Sequence, residues 1–262
     1  MTKNNGVQFP LILIVILLLS NFLTSCSTNK VAVQNRTSPT SEIINDNIQL
    51  QSIEELLLQA SNSQSAAAIE LIIKASNRLL DEKQFAKAIW LTEQVLPLSS
   101  SQKQIAQLTL MKVEALTLTE HFEIALIALK ELQNIDSFSP VIQLKFYQLL
   151  ATTQLNRGLK LAAAEANLRA FVLSNNNSDD DINYLWQELN TLSQWEIDQL
   201  VVANPPLIKG WQQLLNFAHR FGYDKTSFQR YLTQWQRTFA DHPAKILIPQ
   251  LLNNAPLENK KH

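Results

Sequence analysis

The apolar and polar positions between residues 81 and 163 recur with a spacing of 37. Phe85-Ala86-Lys87-Ala88-Ile89, Phe122-Glu123-Ile124-Ala125-Leu126 and Leu159-Lys160-Leu161-Ala162-Ala163 superpose at that interval. In each segment a large apolar residue stands three before an alanine. Each is preceded by a polar corner: Asp81 to Gln84, Thr119 to His121, and Asn156-Arg157-Gly158. Residues three apart share a helix face, and a small residue on that face lets a second helix approach closely. The pattern therefore predicts three turns of one repeated helical hairpin. Ala68, Ile105 and Ile142 match upstream at the same spacing, as do Ile73, Leu110 and Tyr147, and these place the first helix of each hairpin. An ordinary helical bundle with coincident alanines is the alternative reading.

Beyond the repeats, Ser174-Asn175-Asn176-Asn177-Ser178-Asp179-Asp180-Asp181 is a polar loop with an acidic flank for the helix that follows, Ile182 to about Leu192 with Trp186. Carboxylates at a helix start are explained by the helix dipole. Asn204-Pro205-Pro206 breaks the chain, and two amphipathic helices follow. Trp211, Leu214, Leu215, Ala218 and Phe221 form the stripe of the first; Phe228, Leu232, Trp235 and Phe239 form that of the second, which starts after Asp224. This is the spacing that burial demands, so these aromatics are expected in a core and not on a ligand platform.

The N-terminal pattern is different in kind. Lys3 precedes an unbroken apolar run of nine residues, Leu11 to Leu19, whereas a bilayer span needs roughly 20. Residues 1–25 read as a secretory signal. Leu23-Thr24-Ser25-Cys26 then resembles the bacterial lipobox, in which the cysteine thiol accepts a diacylglyceryl group and becomes the new N-terminus. Cys26 is thus the expected lipid anchor, since several acyl chains on one residue hold where one would not; an ordinary free thiol is the alternative. Ser27 is not the aspartate of inner-membrane retention, which points to the periplasmic face of the outer membrane. Residues 26–50 read as a flexible tether, rich in Ser, Thr, Asn and Gln. Residues 51–255 form the expected helical domain and 256–262 a polar tail.

Composition narrows the class further. Only four glycines are present, against the roughly 7% of an average chain, too few for the turns of a many-stranded fold. An all-α fold is expected. Formal net charge is −1, and −2 once Lys3 leaves with the first 25 residues, so no electrostatic case for nucleic acid exists. Cys26 is the only cysteine, which excludes a disulfide within the chain.

Enzyme chemistry finds no foothold in the sequence. His121, His219, His242 and His262 include no pair at the i, i+4 spacing of a helical zinc site, and the three aspartates lack the glycine and closing glutamate of a calcium loop. No G-x-S-x-G and no phosphate loop occur. His121 reads as a corner residue, and His242 as a helix-end residue beside Pro243. No catalytic residue, cofactor or metal is expected. A lytic transglycosylase would need a lysozyme-like domain around its glutamate, and the glutamates here stand on repeat helices.

The hairpins resemble the tetratricopeptide repeat, whose usual period is about 34, and imply a right-handed superhelix. The C-terminal region is similar to the LpoA/LppC family of penicillin-binding-protein activator lipoproteins. The likeness rests on Gly210-Trp211 opening an apolar helix, then Trp235 and Asp241-His242-Pro243-Ala244 in the second helix and its end. In the family the proline precedes the histidine; here the order is reversed. Together with the lipobox and the repeats, the resemblance covers residues 26 to about 252. It implies an outer-membrane lipoprotein that binds and activates a class A penicillin-binding protein, a peptidoglycan synthase. It also implies a C-terminal domain similar to periplasmic solute-binding proteins, and the sequence stops where that domain would begin. From anchor and repeats alone, an adaptor lipoprotein for envelope or outer-membrane protein assembly is the alternative. Repeat arrays of this type bind along the surface lined by first helices, where Glu70, Lys74 and Gln107 stand.

Overall fold

The computed structural model describes residues 51–174, 178–200 and 206–254. The signal sequence, Cys26, the tether, Asn204-Pro205 and the polar tail lie outside the described residues. The described residues are helical and contain no strand, as the all-α expectation requires. In chain order the α-helices are α1 (Ile53–Ser61), α2 (Ser65–Asp81), α3 (Phe85–Val95), α4 (Gln102–Leu118), α5 (Phe122–Glu131), α6 (Pro140–Asn156), α7 (Lys160–Leu173), α8 (Asp179–Leu189), α9 (Gln194–Gln199), α10 (Pro206–Phe221), α11 (Lys225–Thr238) and α12 (Ile248–Asn254). Three short 3-10 segments, Leu96–Leu98, Ile135–Ser137 and Pro243–Leu247, join them. None of the described helices is long and apolar enough to cross a membrane.

The three polar corners build the same turn. After α2 the Gln84 amide donates to the Leu79 carbonyl at 2.7 Å and the Lys83 amide to the Leu80 carbonyl at 2.9 Å. After α4 His121 donates to Leu116 at 2.8 Å and Glu120 to Thr117 at 3.1 Å, and after α6 Leu159 donates to Gln154 at 3.0 Å and Gly158 to Leu155 at 2.9 Å. This paired pattern is a Schellman motif, which satisfies the last carbonyls of one helix and requires a left-handed residue to do so. Lys83, Glu120 and Gly158 fill that position with φ of 57°, 63° and 76°. The next residue's carbonyl then accepts the first bond of the return helix, from Ala88, Ala125 and Ala163 respectively, each at 3.0 Å.

These bonds correct the spacing. The equivalent turn residues are separated by 37 and then by 38, and Ala163 (2% exposed), not Ala162, takes the buried place of Ala88 and Ala125. Each first helix still has 17 residues, so the slip arises in the linkers. Residues 96–101 join α3 to α4, whereas the longer 132–139 joins α5 to α6. Asn134 accommodates the extra length at φ 54°, a conformation its short polar side chain tolerates. Gln143 holds the linker by donating to the carbonyls of Asp136 and Phe138, at 3.2 and 2.7 Å. Tyr147, buried as expected, therefore corresponds to Ile72 and not Ile73.

The chain divides into two compact units, residues 1–115 and 116–262. In the first, α2 packs against α1 and α3, and Leu57, Ile72, Leu79, Leu91 and Leu108 are fully buried in its core. Burying each such side chain contributes about 1.5–3 kcal/mol. Ser52 and Glu55 form a capping box at the start of α1, and Gln104 of α4 donates to Glu70 of α2 at 2.9 Å. In the second unit α6 packs along α7, while Leu168, Leu189, Leu192, Ile197, Trp211 and Trp235 form a core reaching from α7 to α11. Capping boxes Ser178/Asp181 and Ser193/Glu196 start α8 and α9, and Asp224 caps α11. The aspartate at 181 thus works as a helix cap, and its carboxyl is held below the ordinary range chiefly by the hydrogen bond from the Ser178 side chain.

The shared turn generates a prediction. A non-glycine residue in the left-handed region costs about 1–2 kcal/mol, partly offset by glycine's greater chain entropy when unfolded. Lys83→Gly and Glu120→Gly should each raise stability by about 0.5–1 kcal/mol. Gly158→Ala should lower it by about 1 kcal/mol through conformation alone, since a Cβ there meets nothing within 4 Å. Shifts in the urea unfolding midpoint read all three.

Candidate functional site

The residues that carried the family likeness converge at one place, where α10, α11 and the 3-10 segment Pro243–Leu247 meet. α10 carries a glycine in its interior, which costs about 1 kcal/mol relative to alanine. Gly210 is nevertheless needed: a Cβ there would lie 2.4 Å from His242 Cδ2 and 2.5 Å from Nε2. Its neighbour Trp211 is fully buried, with its ring edge-on to Phe171 (centroids 5.8 Å apart) and to His242 (5.4 Å). From α11, Trp235 is fully buried; it donates from Nε1 to the Gly210 carbonyl at 2.8 Å and sets its ring 5.1 Å from His242. Phe239 completes the aromatic surround at 6.1 Å.

His242 closes the junction. It is 5% exposed, and where the sequence reads it as ending a helix it instead caps the start of Pro243–Leu247. The Ala244 amide donates to Nδ1 at 3.1 Å, and Nε2 lies 2.7 Å from the Leu207 carbonyl. Both contacts are satisfied together only by the neutral tautomer with its proton on Nε2. Burial pushes the His242 pKa below the ordinary value, and the Leu207 carbonyl opposes this in part. With each ring nitrogen engaged, His242 has none left to act as a general base or to bind a metal. An open cavity of about 280 Å³ adjoins it, lined by Leu207, Thr238, Phe239, Ala240, Asp241 and His242.

A second tie fastens the short helix α9, which the sequence pattern did not reveal, to α10. Gln194 donates to Asn216 at 2.7 Å, Gln212 to the carbonyls of Ile197 and Leu200 at 3.1 and 3.3 Å, and Arg220 pairs with Asp198 at 3.2 Å. The other sequence candidates are scattered. His121 sits at the second turn with Nδ1 3.0 Å from Thr119 Oγ1, Glu70 is engaged by Gln104, and Cys26 lies outside the described residues. Among the described residues no three His, Cys, Asp or Glu side chains gather at metal-binding distance. The close approach at Gly210 was missed, although an interior glycine in so glycine-poor a chain was its signal.

The junction generates two predictions. Gly210→Ala forces the helix against an imidazole that is fixed at both nitrogens, and overpacking of this kind costs about 1–3 kcal/mol; thermal denaturation should show the loss. The pH response follows from the depressed His242 pKa. Above about pH 6.5 the imidazole is neutral in both folded and unfolded chains, so no penalty exists. As pH falls below that value the unfolded chain takes up the proton first, and stability declines toward the lower folded pKa. Melting temperature should therefore drop between pH 7.5 and 5.5, and His242→Gln should flatten that part of the profile.

Comparison with known proteins bears on the chain as a whole. The family described as "LppC putative lipoprotein" matches residues 47–259. Penicillin-binding protein activator LpoA of Edwardsiella ictaluri is 27% identical over 199 residues, which is 75% of this chain and 29% of that protein. Its counterpart in Pantoea ananatis is 27% identical over 210 residues, with the same shares. The chain spans less than a third of the length of these relatives. Among solved structures, the Escherichia coli LpoA amino-terminal domain aligns with a TM-score of 0.60 at 19% identity, covering 79% of this chain and 92% of that domain. Full-length Haemophilus influenzae LpoA aligns at 0.53 and 19%, covering 78% and 38%. These likenesses give the fold: the all-helical architecture of the LpoA amino-terminal domain. With the family match running through the repeats, the capped helices and the His242 junction, the chain belongs to the LppC lipoprotein family.

Proposed function

We propose that this chain is the helical module of an outer-membrane lipoprotein, acylated at Cys26 and facing the periplasm, that regulates peptidoglycan synthesis by binding and activating a class A penicillin-binding protein. The observation that carries the reading is the continuous family match over residues 47–259, joined to relatives that are named penicillin-binding protein activators. The lipobox Leu23-Thr24-Ser25-Cys26 supports the anchor. The geometry supports a binding module and not an enzyme, because the buried histidine has both nitrogens engaged and the carboxylates at 181, 196 and 224 serve as helix caps. In this reading the protein works by contact: the units hold a surface in place, and the synthase carries the chemistry.

The test is co-purification of the chain with detergent-solubilised class A penicillin-binding proteins, coupled to a synthesis assay. Retention on the synthase, or a raised rate of glycan polymerisation or cross-linking, is expected. No retention and an unchanged rate at micromolar concentration would defeat the proposal. Cys26→Ser should abolish labelling by palmitate and move the protein from the outer-membrane fraction to the soluble periplasm. Incubation with purified sacculi should release no muropeptides.

A further inference from the structure

Charge is unevenly shared along the second unit. From Pro206 to Asn254 the chain holds Lys209, Arg220, Lys225, Arg230, Arg237 and Lys245 against Asp224 and Asp241, a net of +4 in a chain whose formal net charge is −1. Within α11 the imbalance is complete: Lys225, Arg230 and Arg237 stand on it and no acid does. Arg230 and Arg237 are seven positions apart, which puts them on one helix face about 10.5 Å from each other. Both are exposed, and so are the uncharged Thr226, Thr233 and Gln234 of the same stripe. A solvated helix face gains stability from an acid three or four positions from each cation. Within α11 those places around Arg230 and Arg237 hold Thr226, Ser227, Thr233 and Gln234.

Neither arginine forms a salt bridge among the described residues. Arg220 differs, since Asp198 pairs with it. Asp224 is engaged as the helix cap: the Ser227 side chain is the chief cause that holds its carboxyl below the ordinary range, and Arg230 is the smallest. The Arg230 guanidinium is placed by an aromatic stack instead. It lies 5.1 Å from the centroid of the Tyr231 ring, and that ring stacks on Phe221 and Phe217 of α10 at 4.1 and 5.0 Å. A ring face attracts a cation without taking its N–H donors, so the planar fork keeps its capacity for a carboxylate.

We propose that the Arg230–Arg237 face of α11 docks an acidic helix of a partner protein, with carboxylates two turns apart that meet the two guanidinium groups. Charge complementarity selects an acidic partner. A lipid surface fits less well, because an interfacial helix buries an apolar face in the bilayer. The apolar stripe of α11, Phe228, Leu232 and Trp235, is buried in the core, and no large apolar side chain is exposed on this helix. Residues 255–262 bring Lys260 and Lys261 for one acid, Glu258, and so add to the positive charge. This face is independent of the proposed contact with a synthase: it specifies a charge pattern, and either reading can fail while the other stands.

The experiment places the full lipidated chain, carrying isotope-labelled arginine, in dodecylmaltoside micelles at low ionic strength and follows the arginine Nε signals by NMR. The probe is an alanine- and glutamine-based helical peptide of about 21 residues with glutamate at every seventh position. The signals of Arg230 and Arg237, assigned by their loss in Arg230→Gln and Arg237→Gln, should shift and saturate, while those of Arg78 and Arg157 stay in place. Surface ion pairs are weak, so in each variant the remaining arginine should need about three times as much peptide to reach half its shift. Added salt should weaken binding further. Unmoved signals for the two variants' other arginines report an intact fold. No shift with the probe, or equal shifts with an all-glutamine peptide or with one whose glutamates are grouped at one end, would overturn the proposal. Shifts produced by phosphatidylglycerol in the micelles and not by the peptide would also overturn it, because the face would then meet a lipid surface.

Discussion

A helix that reverses direction within two residues leaves its last carbonyls unpaired, and three hairpins in this chain meet that constraint in one way. A residue in the left-handed region turns the backbone so that two following amides reach back to those carbonyls. The return helix then starts one residue later, and its first intrahelical bond puts a small side chain against the helix just completed. Alanine at that place follows from the turn, since any larger residue would hold the two helices apart. The period of the chain is thus set by hydrogen bonding at the corners, and the apolar pattern records it.

This explains what was legible. Phe85 with Ala88 and Phe122 with Ala125 stand in true register because the linker 96–101 keeps the spacing at 37, and the amphipathic stripes of α10 and α11 led to Trp211, Leu214, Phe228, Leu232 and Trp235, all of them buried. The third hairpin misled by one position because the run Leu161-Ala162-Ala163-Ala164 offers an alanine at either register. Only the hydrogen bonds of the corner distinguish Ala162 from Ala163. The short helix α9 escaped because six residues show too little periodicity. His242 was read as ending a helix because a proline follows, whereas it caps the start of the 3-10 segment Pro243–Leu247. Its burial depends on carbonyl and amide groups that a side-chain pattern does not display.

The family likeness gains a physical meaning from the junction. Gly210, Trp211, Trp235, His242 and Ala244 are separated by up to 34 positions in the sequence, yet they form one packed unit in which each limits its neighbours. Glycine makes room for the imidazole, the imidazole holds the Leu207 carbonyl and the Ala244 amide, and the second tryptophan takes the carbonyl of the glycine. A change at any of them leaves a cavity, a clash or a buried polar group without a partner. These residues fix the fold of this part of the chain.

The linker between α5 and α6 has an implication of its own. It absorbs added length while the first helices keep 17 residues each and the Schellman turns keep their bonds. Length variation in this architecture is therefore absorbed at the joints between hairpins and leaves the corners within them intact. Homologues aligned without gaps across such joints would fall out of phase by about 100° of helix rotation per residue, comparing buried positions with exposed ones. Alignments anchored on the left-handed corner residues Lys83, Glu120 and Gly158 keep that correspondence.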